Sequence, residues 1–239
     1  MDTRCAQHPS PHWLTPTNGE QHDEPITILT LSNSSTVRTC LLTLLTTLPH
    51  LKLFLHILES RPRCEGADLA SQLLSSLPIS SHSRLHIRIF PDCAVGTALR
   101  GVGFVLLGAD RISTSGDVSN KIGSMSAAVM AKREEGVKVV VVSEVDKIVA
   151  TDMREGEGEV ESHPASELMS AWAEDTRKGL DNRMEEGRVE VFGEWFEWIP
   201  AEYVDVYVTE RGVLVARDVQ DFSRQNRELK GKVFKKETR

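Results

Sequence analysis

The feature that most constrains this chain is the alternation of short, β-branched apolar runs with longer segments of helical period. Residues 26–31 read ITILTL, and runs of similar texture return at 51–58, 84–90, 104–109, 137–143 and 203–209. These are strand lengths, whereas a helix needs about ten residues or more. Between the first two runs, Val37, Leu41, Leu44, Leu45 and Leu48 recur at three- and four-residue spacing, the stripe of a helix packed on one side. Pro49 closes that helix and Pro78 the next, at 66–77. Further helical stretches are expected at 94–99 and about 119–135, with Gly136 placed for a C-terminal stop. Parallel strands need a crossover, and a helical crossover covers the sheet face it returns along. The expectation is therefore an α/β fold: a Rossmann-like, mostly parallel sheet with helices on both faces. Its ligand crevice should lie at the carboxyl ends of the strands.

Outside this rhythm the texture changes. Residues 1–25 hold His8, Pro9, Pro11 and His12 with little apolar periodicity, and read as a flexible N-terminal arm. The domain is expected over 26–217, interrupted at 151–190 by an acidic and helical insertion. There Glu155, Glu157, Glu159 and Glu161 are interleaved largely with glycine, and a helix is expected from 164 to 186 with Leu168 and Trp172 on one face. A solvated loop and a surface helix account for that segment, with partner docking as the alternative. Residues 218–239 read as a charged C-terminal tail that begins as a helix.

Composition removes several function classes. The formal net charge is −7, which argues against direct nucleic-acid binding, since phosphate backbones demand a basic face. No apolar run approaches the ~20 residues of a membrane span, so no membrane partner is expected. The start, MDTRCAQHPSPHW, lacks the apolar core of a signal peptide, which makes the cytoplasm the expected compartment. Cysteines at 5, 40, 64 and 93 form no CxxC and no zinc spacing. They read as free thiols, Cys40 and Cys93 packed, with neither metal nor cofactor expected.

The chemistry-bearing residues follow strands. After the first comes Ser32-Asn33-Ser34-Ser35. A hydroxyl-rich turn opening a helix suits an anion, and Ser34 or Ser35 serves equally as an ordinary helix cap. After the second comes Glu59-Ser60-Arg61-Pro62, where Arg61 can grip a phosphate or carboxylate or simply stand in solvent. Asp92, after the third, is a cap as readily as a site residue. Asp110 follows the fourth, at a strand tip where partial desolvation should raise its pKa toward acid–base use. Fastening the loop is its plainer role. Asn120 and Lys121 are expected to open the next helix and hold an anion there.

The stretch GADRISTSGDVSNKIGSMSAAVMAK (108–132) resembles the signature of the translation initiation factor 2B alpha/beta/delta subunit family. That superfamily also holds methylthioribose-1-phosphate isomerase and ribose-1,5-bisphosphate isomerase. ILTLSNSSTV, ESRP with the EG and LA that follow, PDCAVG, and FEWIPAEYVDVYVTERGVL agree in the family's order, over about 26–213. The resemblance implies a Rossmann-like C-terminal domain that forms a homodimer, or a heterodimer with a family paralogue, and takes a phosphorylated small molecule. It implies further that a cysteine just after strand one works with the aspartate of GAD, while the Asn and Lys of NKIG bind sugar phosphate. Asp110, Asn120 and Lys121 match those positions, but Ser32 stands where the isomerases have cysteine. The family also carries an N-terminal helical domain that supplies substrate-binding arginines in the isomerases. With 25 residues before the first strand, the expectation is that this domain is lacking.

Two readings follow. The leading one is a non-catalytic initiation factor 2B-like protein acting through protein–protein association, with sugar-phosphate or nucleotide binding. The alternative is an aldose–ketose isomerase of a 1-phosphorylated pentose. A serine is a far poorer proton donor than a thiol of pKa ~8.5, so turnover is expected to be no more than a small background. Sugar-phosphate binding is expected to be modest, on the order of 0.1–1 mM. Ser32, Ser34, Ser35, Arg61, Asp110, Asn120 and Lys121 are expected on one edge of the sheet. Phe192, Trp195, Phe196, Trp198 and Ile199, followed by Tyr203 and Tyr207, are expected to form a contact surface.

Overall fold

The computed structural model describes residues 25–150 and 161–234, with side chains of the last helix described as far as Glu228. Residues 1–24 of the expected arm and 151–160 of the acidic insertion lie outside these residues. Strands β1 (Ile26–Leu31), β2 (Leu53–Leu58), β3 (Leu85–Phe90) and β4 (Phe104–Leu107) come first, with helices α1 (Ser35–Thr47) and α2 (Glu65–Ser76) between them. Single turns α3 (Ile79–His82) and α4 (Val95–Ala98) flank β3. There follow β5 (Arg111–Ile112), β6 (Val118–Lys121), α5 (Ser124–Ala131) and β7 (Lys138–Val142). The chain finishes with α6 (Ala165–Leu168), α7 (Glu174–Glu185), β8 (Phe196–Ile199), β9 (Val206–Thr209), β10 (Gly212–Leu214) and α8 (Ala216–Phe234).

Seven strands form the main sheet in the order β10-β9-β7-β4-β1-β2-β3. All pairings are parallel except β10 on β9. The period of two along each central strand sorts its residues between two cores. Ile28, Leu106, Val140 and Val142 face Val37, Leu41 and Leu45 of α1 and Leu69 and Leu73 of α2. Their neighbours Leu29, Val105, Leu107, Val139 and Val141 face Ala127, Ala128 and Ala131 of α5 and Val219 of α8. Both faces are thus covered by apolar side chains, each worth about 1.5–3 kcal/mol when fully buried. The expected α/β sheet, helices on both faces included, is what forms.

β1 leads outward to β2 and β3, while the chain re-enters on its other side through β4. The sheet therefore reverses direction between β1 and β4, the place where open α/β sheets leave a crevice at their carboxyl ends.

Four local expectations need correction. Residues 118–121 form a strand, and α5 begins only at Ser124. β6 is held by β5 on one side and by β8, nearly eighty residues on, on the other, and no local pattern announces such a partner. The helix expected at 164–186 is broken at 169–171 into α6 and α7. The segment expected as a charged tail is anchored at its start, with Val219 fully buried and Ser223 bonded to the Val149 carbonyl. Cys93 is exposed rather than packed, while burial pushes the half-buried Cys40 thiol up to about 11.

Candidate active site at the carboxyl edge

Three residues other than glycine take positive φ among the described residues: Ser32 (61°), Ser60 (60°) and Cys64 (56°). All three sit at the carboxyl edge. Left-handed backbone is costly for residues with a Cβ and persists where surrounding bonds over-determine it. Here the bonds are visible. The Ser32 N–H donates to Ser60 Oγ at 2.7 Å. The N–H groups of Ser60 and Arg61 donate to the two oxygens of Asp92, each at 2.7 Å. The ends of β1, β2 and β3 are stapled together, and Asp92 is the staple.

On the other side of β1, Gly108 lets the β4 end approach. A Cβ at Gly108 would stand 2.8 Å from Ser34 Oγ and 3.6 Å from Asn120 Oδ1, so both side chains approach its bare backbone. Ser34 caps α1, its Oγ accepting from the Val37 N–H at 3.3 Å. Asn120 Nδ2 donates to Ser124 Oγ at 2.9 Å. Ser35 is the first residue of α1 and is exposed. The Ser32–Ser34 turn, Gly108 and Asn120 of β6 therefore lie close together at the β1–β4 reversal.

Asp110 follows two residues on. Its side chain is 41% exposed, with Arg111 Nε 3.8 Å away, so the desolvation expected of it is not there. Its backbone N–H donates to the Ser119 carbonyl, which fastens the loop to β6.

Arg61 and Lys121, the basic residues expected to hold an anion, both carry internal partners. Arg61, expected to reach for an anion, is 53% exposed at its side chain and bonds Glu59 through Nε at 2.9 Å, which raises its pKa further. Lys121 is buried, 3.1 Å from Glu65 Oε2. The expected anion site at the helix start is filled from within as well. Glu197 Oε1 accepts from the N–H groups of Gly123 and Met125, at 2.6 and 2.9 Å, and so satisfies the first donors of α5.

Sequence reasoning missed a second group built around Trp195. His163 stacks on its ring with centroids 4.2 Å apart, Arg63 lies 3.9 Å from the ring centroid, and Lys121 Nζ lies 4.7 Å from it. Arg63 pairs with Glu167 at 2.6 Å, and His163 Nδ1 with the same carboxylate at 2.8 Å. Arg63 first and His163 second hold the Glu167 carboxyl below its usual range. His163 and Glu167 come from the insertion, and Leu168 of the same segment lies against Gly193, where an added Cβ would stand 3.1 Å from its methyl groups. Trp195, expected in a contact surface, is instead engaged by distant partners within the chain.

A family model described as the initiation factor 2 subunit family matches residues 18–216. Methylthioribose-1-phosphate isomerase of Podospora anserina is 30% identical over 226 residues, covering 85% of this chain and 55% of that protein. The structure of 5-methylthioribose 1-phosphate isomerase from Pyrococcus horikoshii OT3 superimposes with a TM-score of 0.63 at 25% identity, covering 83% of this chain and 54% of that one. Translation initiation factor eIF-2B from Pyrococcus horikoshii OT3 gives 0.64 at 24%, covering 83% and 62%. The chain spans about half the length of the curated relatives it matches.

Proposed function

Starting from the initiation factor 2 subunit family, to which this chain belongs, we propose an aldose–ketose isomerase-type function on a 1-phosphorylated pentose. This reverses the order of the two sequence-based readings, because curated relatives about 30% identical to the chain are named as methylthioribose-1-phosphate isomerases. The observation that carries it is the close approach of Ser34, two residues after Ser32, and of Asn120 to the backbone of Gly108, two residues before Asp110.

The chemistry asks for two proton-handling groups. In a furanose whose C1 oxygen is esterified, the ring opens by cleavage of the C1–O4 bond as a proton reaches O4. Hydrogen moves from C2 to C1, and the 2-hydroxyl proton leaves as the C2 carbonyl forms. Asp110 is the acid–base group of this scheme, and Ser32 occupies the place of its partner. Asn120 orients the sugar.

The test is incubation of the full chain with methylthioribose 1-phosphate and with ribose 1,5-bisphosphate, following ketose formation. Slow turnover is expected from one of them, lowered roughly 10²-fold or more by Asp110→Asn. Absence of ketose from both would return the assignment to non-catalytic association, which Ser32 favours by being a hydroxyl.

Association is part of the proposal in either case. Packing consumes much of the aromatic segment: Ile199 and Tyr207 are fully buried and Trp195 is stacked. Phe192 remains 62% exposed and Trp198 38%. A second copy, or a family relative, covers them. Sedimentation at tens of micromolar is expected to show a dimer that Trp198→Lys weakens, and a clean monomer for the unaltered chain refutes it.

A further inference from the structure

Arg61, Arg63, Arg111 and Lys121 differ in one respect. Arg61, Arg63 and Arg111 have side chains 46–53% exposed, so water screens their contacts with Glu59, Glu167 and Asp110 and those pairs part cheaply. Lys121 has a side chain 7% exposed, with Trp195 and Phe196 ring centroids 4.7 and 5.3 Å from its ammonium. Its carboxylate is Glu65, whose side chain is 22% exposed at the start of α2. The pair lies where dielectric screening is weakest, and the carboxylate is the member nearer to solvent. An anion approaching Lys121 therefore meets the charge of Glu65 first.

Resting on the sugar-phosphate reading, we propose that Glu65 is a specificity-determining residue that neutralises Lys121 and limits the affinity of the edge for phosphate. Lys121 is thereby withheld from phosphate. The phosphorylated end of a sugar gains from it only by displacing Glu65, while an uncharged sugar end meets no such penalty. Discrimination at this point is between charge states of the ligand, and it is set by one carboxylate.

The experiment is equilibrium binding of inorganic phosphate, methylthioribose and methylthioribose 1-phosphate to the full chain, to Glu65→Gln and to Glu174→Gln. The last removes the same unit charge from an exposed pair on α7. Glu65→Gln is expected to bind inorganic phosphate and methylthioribose 1-phosphate about tenfold more tightly. Methylthioribose should be unaffected, as should all three ligands with Glu174→Gln. Equal phosphate affinity in the full chain and Glu65→Gln overturns the proposal, as does an equal gain in Glu174→Gln. A gain for inorganic phosphate with no preference for the sugar phosphate over it upholds the role of Glu65 and removes the isomerase-type reading. If Glu65→Gln does not fold, Glu65→Asp draws the carboxylate back by one methylene. It should show a smaller gain of the same sign, and no gain there overturns the proposal equally.

Discussion

Ser32→Cys is expected to raise ketose formation from methylthioribose 1-phosphate by roughly 10²-fold, within the 10²–10⁴ range that a well-placed proton donor supplies. The position is prepared for such a group. Ser32 is held at φ 61° by its N–H bond to Ser60 Oγ, and Ser60 is held in turn by Asp92, so the Cβ direction is fixed by backbone. A thiol replaces a hydroxyl there with little change of shape, and its ordinary pKa of ~8.5 makes it a far better acid. The pH profile identifies the cause. As a general acid the new thiol works while protonated, so the gain should be full near neutrality and fade as pH rises through the thiol pKa. A gain of that size that does not vary with pH would mean altered packing. No gain at all would show that Ser32 is not the partner of Asp110.

The sheet and its order of layers were legible because their causes are local. Val37, Leu41 and Leu45 announce a buried helix face by spacing alone, and 139–142 announce a strand covered on both sides. Ser34 as a cap was legible for the same reason. What the sequence conceals is pairing at long range. β6 is two alternations long and takes its identity from β8, so Asn120 and Lys121 read as a helix start until Glu197 and Phe196 are placed opposite them. The same distance hid the partners of the basic residues. Arg61 and Lys121 look like free anion grips in a linear reading, because Glu65 lies fifty-six positions before Lys121 and nothing nearby marks it as the counter-charge. The exposure of Asp110 is hidden from a linear reading for a related reason, since a strand tip is desolvated only if another segment covers it.

Gly66→Ala should be among the most damaging single-methyl additions available to this domain, with an expected loss of about 3 kcal/mol or more. Gly66 sits in the first turn of α2, where its N–H donates to the Glu59 carbonyl at 3.0 Å. A Cβ there would lie 2.0 Å from the Leu58 carbonyl oxygen and 2.9 Å from Ile57 Cγ2. The first of these is backbone of β2 and has no rotamer to yield, so the helix must move by about an ångström to reach ordinary contact distance. That shift draws Leu69, Ala70 and Leu73 away from the sheet, all of them buried now. Helix propensity runs the other way, favouring alanine over glycine by about 1 kcal/mol, and is too small to compensate. Gly179→Ala makes the contrast in α7, where nothing lies within 4 Å of the added methyl, and should leave stability unchanged or slightly higher. Urea unfolding of the two variants checks the pair. A Gly66→Ala midpoint within error of the unaltered chain would mean that α2 is not seated on β2 at this distance. The consequence also reaches the site, because Glu65 precedes Gly66. Displacing the helix start disturbs the 3.1 Å pairing of Glu65 with Lys121, so any Gly66→Ala protein that folds should bind phosphate more tightly despite its lower stability.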